Sequence, residues 1–394
     1  MSVPRTPLAA ALEHGPLVLD GGLSNQLEAQ GCDLSDELWS ARLLADDPGQ
    51  IEAAHTAYAR AGARVLITSS YQATYEGFAH RGLGHEEATA LLRRSVELAR
   101  MAAERAAAER AAVEGAEAGQ AAVEGVEAGR AAVERTAAVR AAVERAEAER
   151  AAVEGAEAGR AEARGAAVER MAVERAAVER AEAGQTDPGD AGHVGGGAAG
   201  SVWVAASVGP YGAMLADGSE YRGRYGLSVA ELTRFHRPRI EALAAAGPDA
   251  LALETVPDAD EAAAMLSAVE GCGVPVWLSY SIAGETTRAG QPLRDAFALA
   301  AGVDQVIAVG VNCCEPGDAD RAVEIAAGIT GKPVVVYPNS GEEWDAAARS
   351  WRGRSTFDPG RVRAWRDAGA RLIGGCCRVG PERIAELAAV VRSH

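Results

Sequence analysis

Eight short apolar runs punctuate the chain, each with the length and composition of a buried parallel strand. They lie at 17–22 (LVLDGG), 65–71 (VLITSSY), 203–210 (WVAASVGP), 250–256 (ALALETV), 275–281 (PVWLSYS), 305–313 (QVIAVGVNC), 333–339 (PVVVYPN) and 370–377 (ARLIGGCC). Between them the apolar positions change to a helical period, as over 48–61, 86–100, 229–246, 259–269, 318–329 and 359–368. Strand alternating with helix, eight times over, predicts an α/β fold of the closed (β/α)8 TIM-barrel kind. An open doubly wound sheet is the competing architecture. The first run is not followed by a GxGxxG turn, which weakens its dinucleotide-binding version.

One stretch breaks the pattern. Over 111–160 a ten-residue unit recurs five times, as AAVEGAEAGQ, AAVEGVEAGR, AAVERTAAVR, AAVERAEAER and AAVEGAEAGR, with degenerate copies from about 101 to 185 and a glycine-rich tail at 186–200. Ala, Glu and Arg favour helix, while each glycine costs about 1 kcal/mol of it. A ten-residue step turns a helix by about 1000°, roughly 80° short of three turns, so the valines spiral around the axis and build no lasting seam. The chain therefore divides into a barrel at 1–100 and 201–394, and an insert at 101–200 expected to be solvated, partly helical and partly disordered. A coiled-coil arm for a partner is the other reading of the repeats. The insert interrupts a helix-to-strand connection, which in a barrel lies at the face opposite the chemistry. Deleting about 106–195 is expected to leave activity intact.

Composition narrows the partners. A formal net charge of −17 opposes binding to nucleic acid, which requires a basic face, and to an anionic membrane surface. Nothing approaches the roughly 20 apolar residues of a membrane span. Residues 1–16 lack the charged, apolar and cleavage-site order of a signal peptide, so a cytoplasmic setting is expected. Aromatics are only 5% of residues, which leaves the core to aliphatic packing. The oligomeric state is not legible.

The chemistry concentrates in cysteine. Four of the six cysteines form two adjacent pairs, Cys313–Cys314 and Cys376–Cys377, ending the sixth and eighth apolar runs. In a barrel both ends face one rim, where catalytic groups gather. Three thiolates around zinc leave a fourth position open, the mark of a catalytic site; a closed structural site would use all four sulfurs. Small buried hydrophobes are the plainer reading of such cysteines. Cys32 and Cys272 lie outside the cluster and read as structural.

The segments LDGGLSNQLEAQGCDLSDELWSA, ITSSYQATYEGF, SVGPYGAMLADGSEYRG, FHRPRIEAL, GVNCCEPGD, VVYPNSGEEWD and RLIGGCCRVGPERI resemble the homocysteine S-methyltransferase family, and most of all its bacterial and plant branch that uses S-methylmethionine. The likeness spans about 17–100 and 202–391 and leaves out the repeats. It implies Zn2+ held by Cys313 of GVNC and by Cys376 and Cys377 of GGCC, with the homocysteine sulfur completing the set. The family usually has a non-cysteine after the GVNC cysteine; with Cys314 in that place, a swap with Cys313 stays open. The resemblance also implies that homocysteine and a sulfonium donor, S-methylmethionine or S-adenosylmethionine, are the small-molecule partners. Asp20, Gly21, Gly22 and Glu254 become contacts to homocysteine, and backbone near Ser69, Ser70 or Asn312 could take its carboxylate. Tyr71, Tyr211, Tyr221 and Glu220 could attract the cationic donor, and Asn339 is a further rim residue. His236 and Arg237 read as structural.

Other functions compete. A betaine-dependent methyltransferase would share the fold and the metal. The homocysteine module of a cobalamin-dependent synthase would need further domains. A zinc hydrolase would favour His and carboxylate ligands, and none of the seven histidines has HExxH spacing. A zinc-free redox protein and a non-catalytic scaffold built around the repeats represent other classes.

Overall fold

The computed structural model describes residues 6–34, 40–163, 201–345 and 350–393. The eight expected runs form one parallel sheet. They are numbered β1 (Leu17–Val18), β2 (Val65–Ile67), β3 (Trp203–Val208), β4 (Ala250–Val256), β5 (Val276–Tyr280), β6 (Val306–Asn312), β7 (Val334–Tyr337) and β8 (Ala370–Ile373). Neighbours pair in sequence order from β2 to β8, and β8 returns to β1 through Leu17 opposite Leu372 and Val18 opposite Ile373. A parallel bridge between Leu19 and Val65 then joins β1 to β2 and closes the barrel. Several strands are shorter than their apolar runs. Most of the missing residues lie at the carboxyl ends, where the backbone leaves the ladder to carry the site.

Alternation along each strand sorts the core into two layers. The inner cluster holds Leu19, Val65, Trp203, Ala205, Ala250, Ala252, Trp277, Ala308, Val335, Tyr337 and Leu372. Small alanines on four of these positions make room for two tryptophans, so the interior leans on aromatic bulk more than the low aromatic content suggested. A short helix, Leu8–Glu13, adds Leu8, Ala11 and Leu12 to this cluster. Trp203, the first residue of β3, donates its indole N–H to the Thr6 carbonyl at 2.9 Å, which pins the approach to this plug at the amino-terminal mouth. The second layer packs the outward strand residues under the helices.

The helices follow the sequence signals closely. Val229–Ala244 starts on Ser228, which accepts from Glu231 N while the Glu231 carboxylate accepts from Ser228 N, a capping box. Ala259–Val269 starts on Asp258 in the same manner, with its carboxylate accepting from Asp260 N.

The chain splits into two compact units, Met1–Arg110 with Gly196–His394, and Ala111–Gly195. One helix, His85–Ala163, runs through all five decapeptide units. The glycines at 115, 119, 125 and 129 do not interrupt it, because the Ala, Glu and Arg around them favour helix strongly enough. Val113, Val139 and Val143 are exposed, as the ten-residue step requires of valines with no common face. The later repeat copies and the tail at 186–200 lie outside the described residues. Among the described residues no helix is long and apolar enough to cross a membrane.

Candidate metal centre and substrate site

The carboxyl ends of β1, β4, β6 and β8 meet at one rim. Cys313 directly follows β6, and Cys376 and Cys377 follow β8 across Gly374 and Gly375. The three sulfurs lie within 4.8 Å of one another, and Cys313 Sγ stands 3.8 Å from Cys377 Sγ. Two sulfur ligands of a tetrahedral zinc at about 2.3 Å are themselves about 3.8 Å apart, so the donor set fits such an ion in both chemistry and span. All six cysteines are free thiols. Hydrogen bonds from the Cys376 and Cys377 thiols hold Cys313 well below the usual thiol range, and this sharing pushes Cys376 and Cys377 up.

Cys314 is not part of this group. It is buried in the outer apolar layer, where burial pushes its thiol up. Adjacent residues at a strand end point to opposite faces, so only one of the pair can reach the rim. Cys32 and Cys272 also lie outside the cluster, packed against the outer layer.

The rim backbone is held in unusual conformations. Five described non-glycine residues have positive φ, and three of them stand here: Thr255 at 58°, Cys313 at 49° and Arg378 at 65°. Such conformations cost roughly 1–3 kcal/mol each and persist where the surroundings fix them. Asn312 fixes the first: its Oδ1 accepts from Thr255 N at 2.7 Å and its Nδ2 donates to Thr255 Oγ1 at 2.7 Å. Cys313 donates its N–H to Tyr337 O at 3.3 Å and accepts from Ser281 Oγ at 3.3 Å. The Arg378 N–H donates to Asn25 Oδ1 at 2.6 Å, and its guanidinium spans both oxygens of Glu342 at 3.1 Å. Asn339 Oδ1 accepts from Cys377 N at 3.1 Å, which sets the second cysteine of β8.

Gly21 and Gly22 explain how β1 and β8 come so close. A β-carbon on Gly21 would stand 2.1 Å from Val379 O, and one on Gly22 would stand 2.7 Å from Cys376 O. These glycines therefore seat the cysteine loop directly. Tyr58 ties the same two loops together, donating to Gly22 O at 2.9 Å and Val379 O at 3.2 Å.

Two carboxylates flank the sulfurs. Asp20 Oδ2 accepts from Ile67 N at 2.8 Å. Glu254 accepts from Ser207 Oγ, and from Tyr337 OH at 2.9 Å. Tyr337 in turn accepts from Trp277 Nε1 at 3.3 Å and shares a 2.7 Å bond with Ser279 Oγ. Glu254 is thus aimed by β3, β5 and β7 together. Burial raises both carboxyls, Asp20 well above the usual range and Glu254 to about 7. Each also feels a negative neighbour: Glu254 beside Asp20, and Cys313 beside Glu254. Among the described residues neither forms an ion pair with a basic side chain.

The loop after β3 is anchored by a buried network. Arg239 donates to Gly209 O and, at 2.7 Å, to His236 Nδ1. Arginine can only donate, so Nδ1 is the acceptor and Nε2 carries the ring proton to Glu261 Oε1 at 2.9 Å. The same Glu261 oxygen accepts from Tyr211 N at 2.5 Å. Arg237 donates to Ser267 O at 2.7 Å. The loop returns Tyr221 to the rim, where its OH lies 3.2 Å from Cys313 Sγ and Arg288 sits 5.8 Å from its ring centroid.

A model of the homocysteine S-methyltransferase family matches residues 17–391. The homocysteine S-methyltransferase of Escherichia coli strain K12 is 37% identical over 389 residues, covering 97% of this chain and 98% of that protein. The chain belongs to the homocysteine S-methyltransferase family. Homocysteine S-methyltransferase YbgG of Bacillus subtilis is 36% identical, with 98% of each chain covered. Homocysteine S-methyltransferase 1 of Arabidopsis thaliana is 34% identical, with 94% and 91% covered. The crystal structure of the Escherichia coli homocysteine methyltransferase MmuM in its metallated form superposes with a TM-score of 0.69 at 36% identity, covering 98% of this chain and all of that one. Membership makes the chain a methyltransferase by family, and the sulfur cluster is a group that can hold a metal.

Several residues of this family site are silent in the sequence. Ser207 and Tyr337 sit inside apolar strand runs and read as core. Arg239 and Glu261 read as helix surface; both are buried against His236, which contacts each of them.

Proposed function

We propose that this chain transfers a methyl group from S-methylmethionine to homocysteine, using zinc held by Cys313, Cys376 and Cys377. The observation that carries the reading is the convergence of three sulfurs from β6 and β8 beside two buried carboxylates that have no basic partner among the described residues. Bound there, zinc would keep the homocysteine thiol, ordinarily of pKa near 8.5, as a nucleophilic thiolate at neutral pH. Three soft thiolates are a donor set that zinc favours over harder ions.

Asp20 and Glu254 take the ammonium of homocysteine, which supplies the positive charge their burial lacks. Tyr337 and Ser207 hold Glu254 in place for that contact. Asn312 acts by fixing Thr255 and so the end of β4, while Gly21 and Gly22 let β1 and the cysteine loop close on the amino acid. The homocysteine sulfur forms a new bond to the methyl carbon as the donor's S–CH3 bond breaks and its electron pair returns to the donor sulfur. Thiolate and sulfonium charges cancel, and both products are neutral thioethers. Holding the two sulfurs in line could supply several kcal/mol of the barrier. Chemistry that depends on reduced thiols suits a cytoplasmic setting.

The test is a donor panel. Purified protein with homocysteine should form methionine fastest from S-methylmethionine, more slowly or not at all from S-adenosylmethionine and betaine, and should carry about one zinc per chain. Fast turnover with betaine would reassign the donor. Metal-free protein with oxidised cysteines and no methionine would sink the reading.

A further inference from the structure

We propose that Glu220 selects the methyl donor by pairing its carboxylate with the donor's α-ammonium. The assignment rests on the methyl-transfer reading above and concerns the other substrate at the same site.

The loop after β3 passes through a short helix at Tyr211–Leu215 and then a tight turn at Ser219–Tyr221. Tyr221 places its OH 3.2 Å from Cys313 Sγ, so this turn borders the sulfur cluster. Glu220 is the residue before it. Its Oε2 is buried and has no hydrogen-bond partner. Among the described residues no basic side chain pairs with it; the groups whose charges it feels or influences include Cys313, Asp217, Tyr71 and Tyr225. The turn has little freedom to carry the carboxylate away. A β-carbon on Gly212 would stand 2.4 Å from Glu220 N, so the two backbones are already in contact.

A buried, unpaired carboxylate oxygen costs stability, and such groups persist where a ligand completes them. Asp20 and Glu254, on the β1 and β4 side, already account for the ammonium of homocysteine. Glu220 stands on the β3 loop, one residue before the tyrosine that touches Cys313 Sγ, and is left for the second substrate. That substrate carries two positive charges, and the reaction separates them. The sulfonium charge disappears as the methyl leaves, so a carboxylate beside it would hold the ground state better than the transition state. The ammonium charge persists throughout. A carboxylate there tightens binding without opposing the chemistry, which is what a specificity contact must do.

Glu220→Gln keeps shape and removes charge. With S-methylmethionine as donor, its KM is expected to rise about 10–100-fold while kcat stays within about threefold. The KM for homocysteine and the zinc content should not move, and Glu220→Asp should recover part of the donor KM. Without ligands, the Gln variant should melt roughly 1–3 °C above wild type, because the unpaired charge is gone. A residue with a merely structural role would move the melting temperature down. An unchanged donor KM, a lowered melting temperature, or a shift in homocysteine KM in place of donor KM would overturn the assignment. A rise in kcat would put the carboxylate at the sulfonium and overturn it too. Wild-type protein that forms no methionine from S-methylmethionine would defeat the methyl-transfer reading itself, and this assignment with it.

Discussion

The barrel rim and the decapeptide stretch are encoded in opposite ways. At the rim, residues from β1 through β8 converge, and exchanging one residue for its neighbour changes the chemistry: Cys313 faces the cluster while Cys314 faces the apolar layer. In the repeats, position carries little. The helix over His85–Ala163 passes through five copies with valines exposed at 113, 139 and 143, and the ion pairs Arg130–Glu134 and Arg140–Glu144 recur at the repeat's own spacing on the surface. Composition alone is enough to specify such a helix. A catalytic rim requires that tertiary contacts impose backbone conformations the local sequence resists, as at Thr255 and Cys313.

The largest effect should therefore come from a single sulfur. Cys313→Ser and Cys376→Ser are each expected to lose the metal and to cut kcat/KM by at least about 10³-fold, since an oxygen ligand suits the site poorly and the remaining pair cannot hold the ion. Cys314→Ser should keep full metal content and turnover within about threefold, while losing roughly 1–2 kcal/mol of stability to a buried hydroxyl. Metal analysis and steady-state rates on the three variants check this. Metal loss in Cys314→Ser with retention in Cys313→Ser would invert the contrast drawn between the neighbours.

The outlines of this rim were open to reading from the sequence. The eight apolar runs gave the strands, and paired cysteines ending two of them marked the cluster. What stayed hidden is what depends on tertiary distance. Asn312 sits in GVNC and reads as backbone for the homocysteine carboxylate; that both its side-chain polar atoms serve Thr255, 57 positions away, has no signal in the motif. Tyr337 lies in an aliphatic strand, and nothing in VVVY announces a hydroxyl that aims Glu254. The plug helix at Leu8–Glu13 lies in a short Ala/Leu run without a long period. The repeat is legible as helix-prone from its Ala, Glu and Arg, and the helix over His85–Ala163 carries all five units with their glycines.

A smaller effect should appear in the pH dependence of stability without ligands. Glu254 titrates at about 7 in the folded chain, above the 4.5 of a free glutamate, because burial disfavours its charge. The folded state then binds the proton more tightly than the unfolded state. This contribution is complete below about pH 4.5 and is lost as pH rises through 7, with an upper magnitude of about 3 kcal/mol. Glu254→Gln should flatten that part of the stability-against-pH curve and raise the melting temperature at pH 8, while weakening homocysteine binding. Denaturant titrations across pH 4–8 measure it. A wild-type curve that climbs over this interval, with the same climb in the variant, would show that Glu254 enters the fold already charged and paired.

The smallest effect should follow removal of the repeats. Excising 111–160 takes out five units, and fifty residues at 3.6 per turn come to about 13.9 turns, so the helix rejoins itself within roughly 40° of its original phase. None of the side chains that build the sulfur cluster, the carboxylates or the β3-loop network comes from this stretch. Among the described residues the excised stretch includes the exposed valines at 113, 139 and 143 and no member of either apolar core. Both KM values and kcat should stay within about twofold of the full chain, and the melting temperature within a few degrees. Folded protein that binds zinc yet turns over slowly after the excision would show that the repeats specify more than a helix. It would erase the distinction between a region where each position matters and one where composition is enough.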